Sequence, residues 1–331
     1  MKHSIYLLHT LLILIATACC PHKYIPDHEP PPPPCFEVPE RIRVALVLGS
    51  GGVRGMAHVG VLEELVNAGI EFDVIIGCSA GSIVGALYAD SMDMCVVKDA
   101  VKNLKTDKIL DIDIWDCRFG LSQGTAMTRM LDDKLNATCF SELKIPFIAV
   151  ATDLNSGELV PIGSGDLIKA VRASTSIPLV FVPVEMHGRV LVDGGIINPV
   201  PVSVARHLGA ELVIAVDLCE LLPKTFPTNL FGVASRSTEI AFMWQNTLSI
   251  RDANINIRPK MCGVGTFNDK AKMQLYMAGR EAAREMIPQI KELLSQLPPK
   301  EECEYRNTRI VQPMCSNPDH PAFDICFDER W

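Results

Sequence analysis

The chain has 331 residues, enough for one large α/β domain or two small ones. Hydrophobic residues make up 48% and charged residues 21%, which suits a packed core and excludes an intrinsically disordered chain. A net charge of −8 gives no electrostatic support for nucleic-acid binding, so no nucleic-acid partner is expected.

The N-terminal stretch MKHSIYLLHTLLILIATACC places Lys2 before an apolar run from Ile5 to Ala18, interrupted at His9 and Thr10. This is the grammar of a signal peptide over residues 1–18, too short to span a bilayer comfortably. Ala16-Thr17-Ala18-Cys19 resembles a bacterial lipobox, with Ala16 where Leu, Val or Ile is usual; the alternative is plain cleavage near Ala18. The resemblance implies that Cys19 is a lipid anchor and that the protein sits at a membrane surface of the bacterial cell envelope. Each acyl methylene buried there would contribute about 0.8 kcal/mol. Residues 19–40 include the run Pro30 to Pro34 and read as an extended tether or a disordered leader. The domain is expected over residues 41–298, followed by a polar, Cys-bearing extension, 299–331. None of the 12 cysteines forms a CxxC pair. In the tail, Cys303, Cys315 and Cys326 suggest disulfides with one another or with Cys35 rather than a metal site with His320.

RIRVALVLGS reads as a buried strand ending in glycine, and GMAHVGVLEELVNAG as a helix stopped at Gly69. FDVIIG is the next strand and SAGSIVGALYAD the next helix. Residues 92–135 look helical with loops, and GLSQGTAMTRMLDDKL reads as a capped amphipathic helix. IPFIAVATDL is a strand with GELVPIG beside it, and GDLIKAVRASTSIP a helix ended before Pro178. GRVLVDGG is a strand running into a glycine turn, PVSVARHLGA a helix and ELVIAVDL a strand. Helices follow near residues 230–250 and over AKMQLYMAGREAAREMIPQIKELLSQL. The alternation predicts a parallel sheet with helices on its faces.

Three stretches carry chemistry. In Gly77-Cys78-Ser79-Ala80-Gly81 a serine stands between glycines at a strand-to-helix junction. It is either a tight packing turn or a nucleophile exposed on a sharp elbow at a helix N-terminus, where negative charge is favoured. LGSGGVRGMAHVGVLEEL offers Gly49, Gly51, Gly52 and Arg54 in one loop. A dinucleotide site would need Arg54 in place of the third glycine, and no acidic residue ends the second strand to hold a ribose. The same loop suits an oxyanion hole built from bare backbone N–H groups. In LVDGGIINPVPV, Asp193 is either an Asx-turn cap or the base for a serine.

The glycine loop with arginine, GxSxG and Asp-Gly-Gly occur here in the order found in patatin-like phospholipases. VATDLNSGELV, AVRASTSIPLVFVPV and GRVLVDGGIINPVPVSVARHLGA are similar as well, so the resemblance runs from about Arg43 to Leu294. It looks closest to small bacterial members related to the catalytic part of neuropathy target esterase. The resemblance implies a three-layer α/β/α fold around a central, mostly parallel sheet. It implies Ser79 as nucleophile with Asp193 as its dyad partner, on an elbow flanked by Gly77 and Gly81. Gly51 and Gly52 would form the oxyanion hole, with Arg54 ordering their loop. The expected activity is hydrolysis of acyl esters, with a phospholipid or lysophospholipid as substrate and no metal, calcium or other cofactor. The alternatives are an acyltransferase using the same acyl-enzyme and a non-catalytic surface lipoprotein that binds a partner.

The dyad has no histidine. Four of the eight histidines lie in the leader or tether, His58 reads as structural, His207 as a helix cap, and His187 and His320 as the runners-up for a base. Cys78 reads as a buried thiol under the elbow. By the resemblance, Ser174, Thr175 and Ser176 are pocket and turn residues. Oligomeric state is not legible.

Overall fold

A computed structural model describes residues 32–112, 119–220, 222, 226–261, 263–264, 269–299 and 307–313. The signal peptide, Cys19, the first part of the tether, and Cys303, Cys315, Cys326 and His320 lie outside the described residues.

Strand β1 (Phe36–Pro39) comes first, then β2 (Val44–Leu48), which leads through the glycine loop into helix α1 (Gly55–Asn67). Next come β3 (Val74–Cys78), α2 (Ala80–Ser91), α3 (Met94–Asn103), α4 (Thr106–Ile109) and α5 (Thr125–Lys134). β4 (Phe147–Asp153), β5 (Leu159–Ile162) and α6 (Leu167–Ser174) precede the hairpin of β6 (Val184–Met186) and β7 (Arg189–Asp193). The remainder is α7 (Val202–His207), β8 (Leu212–Val216), α8 (Leu230–Ser249), β9 (Ile255–Ile257), α9 (Lys272–Gln296) and β10 (Thr308–Val311).

Eight strands form one sheet in the order β6-β7-β4-β3-β2-β8-β9, with β5 also on β4. The run from β4 to β9 is parallel, whereas β5, β6 and β7 join antiparallel. The sheet is therefore mixed and mostly parallel, with helices on both faces. Buried on both sides, β2 reads as an unbroken apolar run, VALVL. Val44, Leu46 and Leu48 pack with α1, α2 and α9, while Ala45 and Val47 pack with α7. Among the described residues no helix is long and apolar enough to cross a membrane.

One feature of register builds the site. β4 pairs with β3 through Val150 and with β7 from Ala151 onward, while β5 pairs with residues 149–152. A strand has two edges, and β5 overlaps both other partners, so β5 holds one edge and β3 and β7 share the other. Cys78 lies opposite Val150 and Asp193 opposite the next residue, Ala151. Two strands arriving from opposite directions thus meet end to end.

The structure departs from the sequence reading at three places. Phe36–Pro39, assigned to the tether, is a strand paired antiparallel with Thr308–Val311 of the extension. Phe36 and Val38 point into the core and Glu37 outward, a period-two pattern beside the proline run. The N-terminus of α5 is held largely from a distance: the Asp111 carboxylate accepts from the Gly124 and Thr125 N–H groups, both at 2.9 Å, beside Ser122 Oγ, which also accepts from the Gly124 N–H at 3.1 Å. GRVLVDGG belongs to an antiparallel hairpin rather than to the parallel series.

Phe36 is 4% exposed against the domain. Phe36→Ala is expected to destabilise the protein by about 3 kcal/mol, and Glu37→Ala by less than about 0.5 kcal/mol. Urea unfolding of the two variants checks this.

Candidate active site

Ser79 follows β3 and immediately precedes α2, with φ 53° and ψ −119°. A non-glycine residue held there stores about 1–3 kcal/mol of strain, maintained by the surrounding structure. Two glycines make the turn sterically feasible. A Cβ at Gly81 would meet the Leu48 carbonyl, and one at Gly77 would come within 2.5 Å of the Ser82 Cα. Ser79 stands at an N-cap position, yet its side chain makes no cap hydrogen bond. It instead lies near enough to the Asp193 carboxyl to lower that group's proton affinity. The Ser79 N–H donates to Ser174 Oγ at 3.0 Å, and its carbonyl accepts from Ser82 Oγ at 2.6 Å.

Asp193 ends β7, and Oδ1 accepts from the Gly195 N–H at 2.8 Å. It therefore caps the turn Gly194–Ile196. Its main chain is pinned too: its N–H donates to the Ser176 carbonyl at 2.9 Å, and its carbonyl accepts from Thr152 Oγ1 at 3.0 Å. Burial pushes the carboxyl up to about 6, partly offset by the nearby Ser79 side chain and the Gly195 N–H. At neutral pH most of it is ionised and can accept a proton.

The glycine loop lies alongside. Gly49 and Ser50 donate to the carbonyls of Val216 and Pro199, so the loop's N–H groups up to Ser50 are used internally. Gly52 has φ 58°, which favours glycine. Among the described residues no acceptor pairs with the N–H groups of Gly51, Gly52 or Ala80. Arg54 Nη1 donates to the Leu218 carbonyl at 3.0 Å, bracing this loop against the segment after β8. Burial lowers the Arg54 pKa, and nearby Glu220 opposes that.

The histidines lie elsewhere in role. His58 is fully buried with Nε2 2.7 Å from the Gly49 carbonyl, and burial depresses its pKa to about 4. It is a neutral strut under the loop. His187 occupies the β6–β7 turn, at the opposite end of β7 from Asp193, and His207 ends α7. Cys78 is buried beneath the elbow, and burial followed by the Asp193 charge raises its thiol pKa, leaving it inert. Among the described residues no group of three or more His, Cys, Asp or Glu side chains is placed to hold a metal ion.

Ser79, Gly52 and Val53 open onto a cleft with about 620 Å³ of empty space, part of it open solvent. Its walls are mostly apolar and include Val101, Leu104, Leu110, Met127, Ile177 and Phe181, with Thr106 and Lys272 among them. Sequence reasoning missed the anchoring by Ser174, Ser176 and Thr152. The only signal for them was their hydroxyl-rich spacing, since the bonds they make cross between elements.

All of these groups, from the glycine loop to Asp193, lie inside one segment with known relatives. Residues 46–206 match the patatin-like phospholipase family. Over 177 residues the chain is 38% identical to an uncharacterized NTE family protein of Mycobacterium tuberculosis, covering 53% of this chain and 49% of that one. It is 34% identical over 181 residues to patatin-like phospholipase domain-containing protein 7 of Rattus norvegicus, covering 53% of this chain and 13% of that one. The chain thus spans about half the length of the first relative and far less of the second. VipD from Legionella pneumophila shares the fold at a TM-score of 0.52 and 14% identity, over 81% of this chain and 72% of that one.

Gly81→Ala forces a methyl group onto backbone that cannot move aside, whereas Gly157, at φ 75°, has open space around it. Gly81→Ala is expected to cost about 3 kcal/mol or more and Gly157→Ala about 1 kcal/mol. Parallel denaturant titrations should show that order.

Proposed function

We propose that this chain is a serine lipid acyl hydrolase acting on phospholipids or lysophospholipids through a Ser79–Asp193 dyad. The observation that carries the reading is Ser79 on a strained elbow beside the buried Asp193 carboxyl, next to unpaired N–H groups and a mostly apolar cleft. The acyl chain enters the cleft and presents its ester carbonyl to Ser79 Oγ. Asp193 takes the hydroxyl proton as the Oγ–C bond forms. Negative charge moves to the carbonyl oxygen, which the N–H groups of Gly51 and Gly52 receive. The tetrahedral centre collapses, the C–O bond to the alcohol breaks, and Asp193 returns the proton to the departing oxygen. Water then repeats the cycle on the acyl-enzyme, giving fatty acid and free Ser79. Arg54 keeps the loop in register, and Gly77 and Gly81 make the elbow sterically possible. No metal or organic cofactor is needed for these steps. Anchorage through Cys19 would hold the cleft near a membrane surface and its substrate.

Asp193 must be ionised to act, so kcat/KM for fatty-acid release is expected to rise with pH through about 6. Ser79→Ala and Asp193→Asn should each lower release from phospholipid micelles by about 10³-fold or more. The stability effect has the opposite sign. The folded protein holds the Asp193 proton more tightly than the unfolded chain, so stability is lost as pH rises from about 4 through about 6. Asp193→Asn should therefore flatten that loss and raise Tm at pH 7. A Tm series over pH 4–8 beside the rate profile reads both effects, and an unchanged pH slope in the variant would count against them.

A further inference from the structure

We propose that the turn Ser174–Ser176 is a positioning clamp for the dyad and that the Ser174 hydroxyl is its working part; this rests on the hydrolase reading above. The β3–β4 ladder ends with Cys78 opposite Val150. In a continuing parallel ladder the next N–H, that of Ser79, would reach for a β4 carbonyl. Here Ser174 Oγ stands in between. It accepts from the Ser79 N–H at 3.0 Å and donates to the Val150 carbonyl at 2.7 Å. The hydroxyl is thus spliced into the edge where β3 hands over to β7. Two residues on, the Ser176 carbonyl accepts from the Asp193 N–H at 2.9 Å. One short turn therefore grips the main chain of both dyad members. Ser174 and Ser176 are fully buried, at 0% exposure, while Thr175 and Ile177, alternating with them, line the cleft.

The chemistry selects a hydroxyl at this position. One atom must accept and donate at once, which alanine cannot do and a thiol does weakly. Without it, the Ser79 N–H and the Val150 carbonyl are left buried and unpaired. The strained elbow then gains by swinging its N–H back toward β4, carrying Ser79 Oγ away from Asp193. Ser174 touches no reacting atom, so its loss is expected to leave binding in the cleft intact and to slow the chemical step.

The test compares kcat and KM for fatty-acid release from lysophospholipid in the full chain, for wild type, Ser79→Ala, Ser174→Ala and Ser174→Cys. Expected is a kcat about 10–100-fold down in Ser174→Ala and less so in Ser174→Cys, with KM within about threefold of wild type. Cysteine fills the same space, so a packing role alone would leave Ser174→Cys at wild-type kcat. That result overturns the clamp, as does a Ser174→Ala kcat within about twofold of wild type. If Ser174→Ala does not fold, the Ser174→Cys result decides. Turnover that survives in Ser79→Ala would instead sink the hydrolase reading, and the clamp with it. Ser79-dependent turnover insensitive to Ser174 sinks the clamp alone.

Discussion

One edge of β4 serves two strands, and the site exists because of where they change over. β3 occupies that edge as far as Val150, and β7 arrives antiparallel from Ala151. Neither strand can continue past the junction, so each chain must leave the sheet there. β3 leaves through Ser79 and β7 through Asp193, which places a hydroxyl and a carboxylate side by side without either lying in a loop. The glycines follow from the same crowding. Gly81 passes against the Leu48 carbonyl, and Gly194 has the Val150 carbonyl and the Cys78 sulfur as neighbours. A side chain at either position would push the two exits apart.

Burial at this junction works against the fold and, on the proposed mechanism, for the chemistry. Asp193 is held away from water, which raises its proton affinity, and the nearby Ser79 side chain and the Gly195 N–H bring it only partway back. A carboxylate near 6 is a stronger base than a solvated one and is still mostly ionised at neutral pH. Ser79 carries the other part of the load as backbone strain. Both conditions are maintained by hydrogen bonds to main chain rather than by neighbouring charges. The same holds for the glycine loop, which is propped by neutral His58 on the Gly49 carbonyl and by Arg54 on that of Leu218.

Much of this was legible in the sequence where chemistry and local geometry coincide. Ser79 stood out because an apolar β run stops at Gly77 and small residues at helical spacing begin at Ala80. From its residues alone Asp193 was legible as an Asx-turn or a base, with the resemblance favouring the base; the structure shows the turn bond to Gly195. Long-range pairings were not legible. β1 has two buried side chains next to a proline run, and its partner lies some 270 residues away. β6 and β9 are three residues long, too short for periodicity to register. The Asp111 cap on the helix at Thr125–Lys134, and the hydrogen bonds that join Ser174 and Ser176 to Ser79 and Asp193, depend on segments that meet only after folding.

The central claim is that Ser79 is the residue that takes the acyl group, and trapping it covalently is the most direct test. The wild-type protein would be treated with a long-chain fluorophosphonate at neutral pH, digested and mapped by mass spectrometry. The account predicts one dominant adduct, on the Ser79 hydroxyl, displaced by an excess of phospholipid micelles and much slower to form below pH 5, where Asp193 holds its proton. An adduct on another residue, or a folded protein that leaves Ser79 unmodified, would contradict it.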